Sequence, residues 1–279
     1  MSAENTINNR VRIELREGGI ADVCLVRGDK MNALDPAMFS AINAAIAQLQ
    51  TTPGLRAVVL HGEGRAFCAG LDMASFAALA SPQPGEPAKD IAARTHGLAN
   101  SWQQVALGWR TLGVPVIAAI QGAAFGGGLQ VALGADIRLL APDSQMSVME
   151  IKWGLVPDMA GMVLAKSLLR DDVLRELCYT GRVLKAEEAV ALGLGTRVCE
   201  DPLAQAHAMA QAIALRSPDA VRGAKRLLNQ AAGTLDAAAA ALLMAESVEQ
   251  AALLGSANQR EAVLANVEKR APRFVDQVL

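Results

Sequence analysis

Three consecutive glycines, Gly126-Gly127-Gly128, stand between an apolar run, Val114 to Ile120, and a segment of helical spacing, Leu129-Gln130-Val131-Ala132-Leu133. A glycine-rich turn from strand to helix lets a ligand reach the backbone, because no Cβ stands in the way. The first N–H groups of the helix lack intrahelical partners and sit at the positive end of its dipole, which suits a negatively charged oxygen. A tight turn that packs a helix on a sheet is the plainer alternative. Four carboxylates are candidates to work beside this turn: Asp72, Asp136, Glu150 and Asp158. Glu150 follows an extended apolar run and precedes another, so it points from a sheet edge into partly dry surroundings or stands as a solvated strand end. In the dry case burial raises its pKa and makes it a proton-transfer base near neutral pH. Asp158, just past Pro157, is a second acid/base candidate or the N-cap of a helix that starts at Met159. Asp72, after Gly70-Leu71, reads first as the cap of the following turn, and Asp136 as the end of the helix before its strand. Nucleophilic catalysis has little support. There is no Gly-x-Ser-x-Gly elbow, Cys68 reads as a small buried apolar residue, and His61, His96 and His207 read as structural or exposed, the first at a strand end and the others on helices.

The elements that must hold these residues follow from periodicity. Val11-Arg12-Ile13-Glu14-Leu15 alternates as a half-buried strand, Glu17-Gly18-Gly19 supplies a turn, and Ile20 to Val26 is the return strand of a hairpin. Arg27 to Leu34 is a polar loop. Asp35-Pro36 is the N-cap and first residue of a helix that runs to about Gln50. Arg56 to Leu60 is a β-branched strand. The Gly62 and Gly64 that follow do not make a dinucleotide loop, since the third glycine falls too late and no helix pattern starts there. Ser81 to Pro87 is a loop and Asp90 to Thr111 a helix closed by Gly113. After the triple glycine, Asp136 to Leu140 is a strand, Gln145 to Met149 is extended, Glu150 to Asp158 is a loop and Met159 to Leu169 an apolar helix. Asp171-Asp172 caps a further helix, Ala186 to Leu192 is a short one, and Thr196 to Cys199 is the last strand. This strand-turn-helix rhythm is an α/β pattern.

From Pro202 onward no strand pattern survives. Pro202 to Arg216, Pro218 to Ala231, Leu235 to Leu254 and Ser256 to Glu268 read as Ala-rich helices. That is more helix than a short chain end can bury on itself, which points to packing against another subunit. The change in composition near Asp201 divides residues 1–201 from a helical region, 202–279.

Composition narrows the partners. The chain is 52% hydrophobic, enough for a sizeable core, and its net charge of -2 gives no reason to expect nucleic acid or an anionic membrane. The four cysteines have no paired short spacing and there are three histidines in all, so a bound metal is not expected. A reducing cytoplasm is the simplest location. Met1 to Arg10 lacks the apolar core of a signal peptide, and no apolar run of about 18 residues occurs, so the chain reads as soluble.

Taken together, these pieces resemble the crotonase (enoyl-CoA hydratase/isomerase) superfamily. Ala66-Phe67-Cys68-Ala69-Gly70-Leu71-Asp72 is similar to its first signature, and Gln121 to Gln130 with Val131 to Asp136 to its second. Lys30-Met31-Asn32-Ala33-Leu34 resembles its CoA-contact loop, and Ser147 to Pro157 the segment that carries its glutamate. The resemblance covers essentially the whole chain in the right order. It implies a crotonase-like spiral of ββα units with a C-terminal α-helical trimerisation region, and a homotrimer or a hexamer made of two trimers. It implies an acyl-CoA thioester as substrate, with coenzyme A as part of that substrate and no tightly bound cofactor. It also implies stabilisation of a thioester enolate by two backbone N–H groups, those of Leu71 and Gly127, donors of a kind worth ~3–4 kcal/mol each in the transition state. Lys30, Ala66, Ala69, Leu71, Asp72, Met73, Ala74, Gly127 and Gln130 would then line the acyl-CoA site, with Leu71 to Ala74 along the thioester and pantetheine path.

The sequence departs from the family's hydratases, which place one Glu two residues after the last glycine of the triplet and a second at the position of Glu150. Here the first position is Gln130, whose amide can hold a water but cannot take or give its proton. Eight residues after Glu150, where hydratases generally have Gly, stands Asp158, as in the dienoyl-CoA isomerases; those enzymes, however, usually carry an acid at the Gln130 position. The expected activity is enoyl-CoA or dienoyl-CoA isomerisation by Glu150 with Asp158. Enoyl-CoA hydration is the alternative within the family, and a crotonase-fold CoA-thioester binding protein with little catalysis is the alternative outside enzymology.

Overall fold

A computed structural model of the chain describes residues 5–73, 75 and 90–275. Ala74 and the expected Ser81–Pro87 loop lie outside the described residues. The larger layer is a seven-stranded sheet. At its edge a strand the sequence reading missed, β1 (Asn5–Ile7), pairs antiparallel with β2 (Val11–Arg16), and β2 forms the expected hairpin with β3 (Ile20–Leu25). β4 (Ala57–Gly62), β5 (Val116–Ile120), β7 (Ile137–Leu140) and β10 (Arg197–Val198) continue the sheet in parallel. Parallel strands are covered on both faces, which is why Val58-Val59-Leu60 and Val116 to Ile120 read as unbroken apolar runs.

A second layer consists of β6 (Ala123–Phe125), β8 (Gln145–Ser147) and β9 (Leu184–Lys185). Single bridges, Cys68 to Ala124 and Leu34 to Leu71, extend it. The chain therefore climbs as a staircase: a long strand, a short stretch in the second layer, then a helix. β3, Leu34 and α1 (Pro36–Gln50) make one step, and β4, the 68–71 segment and α2 (Ser101–Thr111) the next. β5, β6 and α3 (Gly127–Gly134) make the third. This is the spiral of ββα units that the resemblance implies.

Local chemistry sets the helix starts. Asp35 accepts from the Met38 N–H at 2.7 Å with Pro36 at the first helical position, as expected. The helix expected from Asp90 begins only at Ser101. There the Asn100 side chain takes the Trp102 and Gln103 N–H groups and Gln103 Oε1 takes the Asn100 N–H, a reciprocal cap that fixes the start. His96 is accordingly in the preceding loop, bridged to Ala99, and not on a helix. The helix expected over Met159–Leu169 shrinks to α4 (Gly161–Ala165), followed by α5 (Asp171–Thr180) and α6 (Ala186–Leu192).

The tail forms α7 (Pro202–Ala214), α8 (Pro218–Ala231), α9 (Ala237–Leu253) and α10 (Ala257–Glu268). The sequence reading infers packing of this tail against another subunit, but all four helices have partners within the chain, α10 through Asn266 Nδ2 to Lys152 O at 2.6 Å among others. α7 covers the outer face of the large sheet, where Ala206 and Ala210 bury against Ile20, Val59, Ile117 and Leu139. Small residues let the helix sit close, and a buried Asp22 on β3 locks it there: His61 Nε2 and His207 Nε2 donate to the two Asp22 oxygens at 2.9 and 2.6 Å. α9 buries Leu243, Glu246 and Gln250 against the core. α8 is pinned by Lys225, whose Nζ donates to Val114 O at 2.6 Å and Asp136 at 2.8 Å, while its Leu227 and Leu228 remain 68% and 69% exposed.

Candidate active site

The short parallel pair β6 and β8 brings distant residues together. Phe125 is in register with Ser147, and the Gly126 N–H donates to Ser147 O at 2.9 Å. Three residues past Ser147 the chain enters a single tight turn, Glu150–Trp153, with Glu150 at its head. Gly126 has φ +51 and ψ -122, a conformation that residues with a Cβ essentially do not adopt. A Cβ there would also stand 3.3 Å from Glu150 Oε1, so the glycine gives the carboxylate its place against the turn.

Gln130, in the first turn of α3, fixes that carboxylate. Its Nε2 donates to Glu150 Oε1 at 2.6 Å, and its Oε1 accepts the Met159 N–H at 2.9 Å. The two partners are an acceptor and a donor, so the amide can take only one orientation. Glu150 Oε2 is closed off from solvent and has no hydrogen-bond partner. Burial pushes the Glu150 carboxyl up to about 7, outweighing the bond from Gln130. Beyond Gln130 and Glu150 the adjoining small pocket is lined by apolar residues such as Leu133, Val148, Ala165 and Leu169.

The two candidate oxyanion donors lie on abutting segments. The Leu34 N–H donates to Gly70 O and the Asp72 N–H to Leu34 O, a parallel bridge that leaves the Leu71 N–H unused. Among the described residues neither it nor the Gly127 N–H donates a hydrogen bond. At Gly70, with φ +90, a Cβ would come 2.6 Å from Phe125 O and 3.7 Å from the Gly127 nitrogen, so the two turns can approach only because the side chain is absent. The other expected contact residues surround this junction unevenly. Ala66 is buried, with its carbonyl accepting from Asn32 Nδ2, and the Ala69 N–H donates to Met31 O. Lys30 ends an exposed single turn, and Met73 is 53% exposed. Asp72 accepts from Arg27 Nη1 at 2.6 Å, an ion pair that sequence reading did not find.

Asp136 stands at the other end of its strand from the glycine turn, holding the Val116 N–H and Lys225, and takes no part in the site. Cys68 is fully buried with its thiol donating to Asn32 O at 3.1 Å, and burial pushes it up to about 12, which leaves no thiolate for catalysis.

Asp158 is drawn into the site. It is not the cap of the helix after it: α4 starts at Gly161, after Ala160. Burial, then the neighbouring charges of Glu246 and Glu150, push its carboxyl well above the ordinary range. Glu246 is the residue that sequence reasoning missed. From α9 its Oε2 accepts the Ala160 N–H at 2.9 Å and Gln103 Nε2 at 3.0 Å, and its Oε1 accepts the Met162 N–H at 3.0 Å. Burial pushes its carboxyl to about 7, with Gln103 and backbone donors opposing. Spacing carried a signal, because Leu243, Glu246 and Gln250 recur at helical intervals on the face that turns inward. The arrangement brings together two carboxyls held above their ordinary range, Glu150 and Asp158, and two backbone N–H groups that donate no hydrogen bond among the described residues.

Comparison with known proteins agrees with this fold. The family described as enoyl-CoA hydratase/isomerase matches residues 15–277. The mitochondrial methylglutaconyl-CoA hydratase of Mus musculus is 30% identical over 273 residues, covering 95% of this chain and 82% of that protein. Among solved structures, an enoyl-CoA hydratase/isomerase from Mycobacterium paratuberculosis superposes with a TM-score of 0.81 at 26% identity, covering 92% of this chain and 98% of that one. A carnitinyl-CoA hydratase from Mycobacterium avium does so with 0.79 at 28% identity, covering 95% and 98%.

Proposed function

The chain belongs to the enoyl-CoA hydratase/isomerase family, and on that premise we propose that it shifts the double bond of an enoyl-CoA or dienoyl-CoA thioester. The thioester oxygen would lie on the Leu71 and Gly127 N–H groups. Glu150 Oε2, buried and without a partner, takes a proton from the acyl chain, and the electron pair moves onto the thioester oxygen as an enolate. Collapse of the enolate draws a proton onto the carbon at the far end of the conjugated system. That proton comes from Glu150 itself, which closes the cycle, or from Asp158, in which case the proton taken up by Glu150 passes to Asp158 before the next turnover. A base near neutrality suits this cycle, since it must both take and return the proton.

Gln130 supports isomerisation over hydration. Adding water requires a group to activate it and another to protonate the α carbon, and an amide tied to Glu150 and to the Met159 N–H can do neither. Hydration is the second reading, favoured by the names of the mouse and M. avium relatives. Product analysis on 2-enoyl, 3-enoyl and dienoyl thioesters decides between them. A shifted enoyl product in excess of 3-hydroxyacyl product supports isomerisation, and the reverse ratio replaces it with hydration. The exposed Leu227 and Leu228 on α8 support a trimeric or hexameric assembly, which sedimentation of the purified protein measures.

A further inference from the structure

The loop that carries Asp158 is held by a helix that lies far from it in the chain. Ala160 has φ +63, a left-handed conformation that costs about 1–2 kcal/mol for a residue with a Cβ. Glu246 accepts the N–H groups of Ala160 and Met162, either side of Gly161. One turn further along α9, Gln250 Oε1 accepts the Val156 N–H at 3.2 Å, and the Gln250 side chain also bonds Asp158. Both ends of the 156–162 loop therefore rest on one face of α9.

The charges around the loop are mostly negative. Asp158 faces Glu246 from α9 and Glu150 from the turn before it. Arg94, from the segment before α2, lies within reach of Glu246, but its own bonds go to Gln103 Oε1 at 3.0 Å and Ser247 Oγ at 2.8 Å. Among the described residues no salt bridge reaches Asp158. Three carboxylates so close do not all ionise together. Glu246 accepts from Gln103 Nε2 and from the N–H groups of Ala160 and Met162, while Asp158 is raised by its burial and by the charges of Glu246 and Glu150, so between these two the charge settles on Glu246.

Building on the reading of Asp158 as an acid/base group, we propose that Glu246 is a positioning residue that fixes the 156–162 loop and whose negative charge keeps a proton on Asp158. Asp158 then enters the reaction as the acid while Glu150 serves as the base.

The test uses full-length protein with 2-hexenoyl-CoA and 3-hexenoyl-CoA, and pH profiles of kcat for wild type, Glu246→Gln, Asp158→Asn and the double variant. Loss of the Asp158 proton sets the alkaline limb in wild type. Glu246→Gln removes the neighbouring charge, so that limb moves to lower pH and kcat falls roughly tenfold with KM little changed, on the scale of a misplaced acid. In the Asp158→Asn background Glu246→Gln has no further effect on kcat. An unmoved limb, or the same tenfold loss in both backgrounds, overturns the proposal. Gln103→Met, which removes a donor from Glu246 while filling the space, must move the limb in the same direction. This keeps the test decisive should Glu246→Gln fail to fold. An Asp158→Asn enzyme that matches wild type removes the Asp158 reading itself, an outcome distinct from failure of Glu246 alone.

Discussion

Gln130 Nε2 lies 2.6 Å from Glu150 Oε1, and the same amide accepts the Met159 N–H through its oxygen. One neutral side chain thus orients the Glu150 carboxyl and ties it to the loop that carries Asp158. Replacing Gln130 by Glu would keep the bond from Met159 but set a second carboxyl against Glu150. The expected outcome is a gain in hydration relative to isomerisation, with Glu150 pushed further up by like charge. The ratio of 3-hydroxyacyl to shifted enoyl product, compared among wild type, Gln130→Glu and Gln130→Ala, measures it. An unchanged ratio in Gln130→Glu shows that position 130 does not choose the reaction.

Glu150→Gln should lower kcat by roughly 10²–10⁴ while thioester binding persists. In wild type the base works when deprotonated, so activity rises as pH rises through about 7, the value to which burial pushes Glu150. That acidic limb should vanish from the residual activity of Glu150→Gln. A variant that loses affinity but keeps kcat identifies Glu150 as a binding group.

Gly127→Pro removes one proposed oxyanion donor at a position where proline suits the start of a helix. A Cβ there meets only the ends of flexible side chains, Leu34 Cδ1 and Met159 Sδ, at 2.9 Å each. The folded variant should therefore lose about 10²–10³ in kcat. Full turnover in a variant with a native circular dichroism spectrum argues against the donor role.

The lock between α7 and the sheet predicts how stability varies with pH. His61 is raised to about 9 in the folded protein: burial opposes its charge, but the bond to Asp22 prevails. Its contribution is complete below about 6.5 and is lost as pH climbs through about 9, roughly 3 kcal/mol in all. Asp22 is lowered, with His61 and His207 outweighing its burial, so its contribution is present above its unfolded pKa and fades in acid. Tm should fall between pH 6.5 and 9 in wild type, and Asp22→Asn should flatten that slope. An equally steep slope in the variant assigns the pH dependence to other groups.

Much of the frame was legible because long periodic segments leave clear traces: the β2–β3 hairpin, α1 with its Asp35 cap, and the strand before the triple glycine. Of the second layer only β8 was legible, within the extended reading of Gln145 to Met149, while β6 and β9 are three and two residues long and have no period to detect. It is this layer that sets Gly126 beside Glu150. The start of α2 was hidden by helix-compatible residues before Asn100, although Asn100-x-x-Gln103 spells the reciprocal cap. The tail read correctly as helices, but an alanine-rich face does not say which surface it covers. Glu246 looked like one more charge on such a helix, and only the fold turns it inward.

Because α9 closes the loop around Asp158, the site is completed by a segment that follows the whole staircase in sequence. The bond from Ala160 to Glu246 spans 86 residues, a separation that is slow to close relative to the local turns of the helices it joins. On refolding from denaturant, helical signal should return before activity does. A chain interrupted before α9 would hold most of the staircase and the Leu71 and Gly127 N–H groups, yet not the support that holds the Asp158 loop in place.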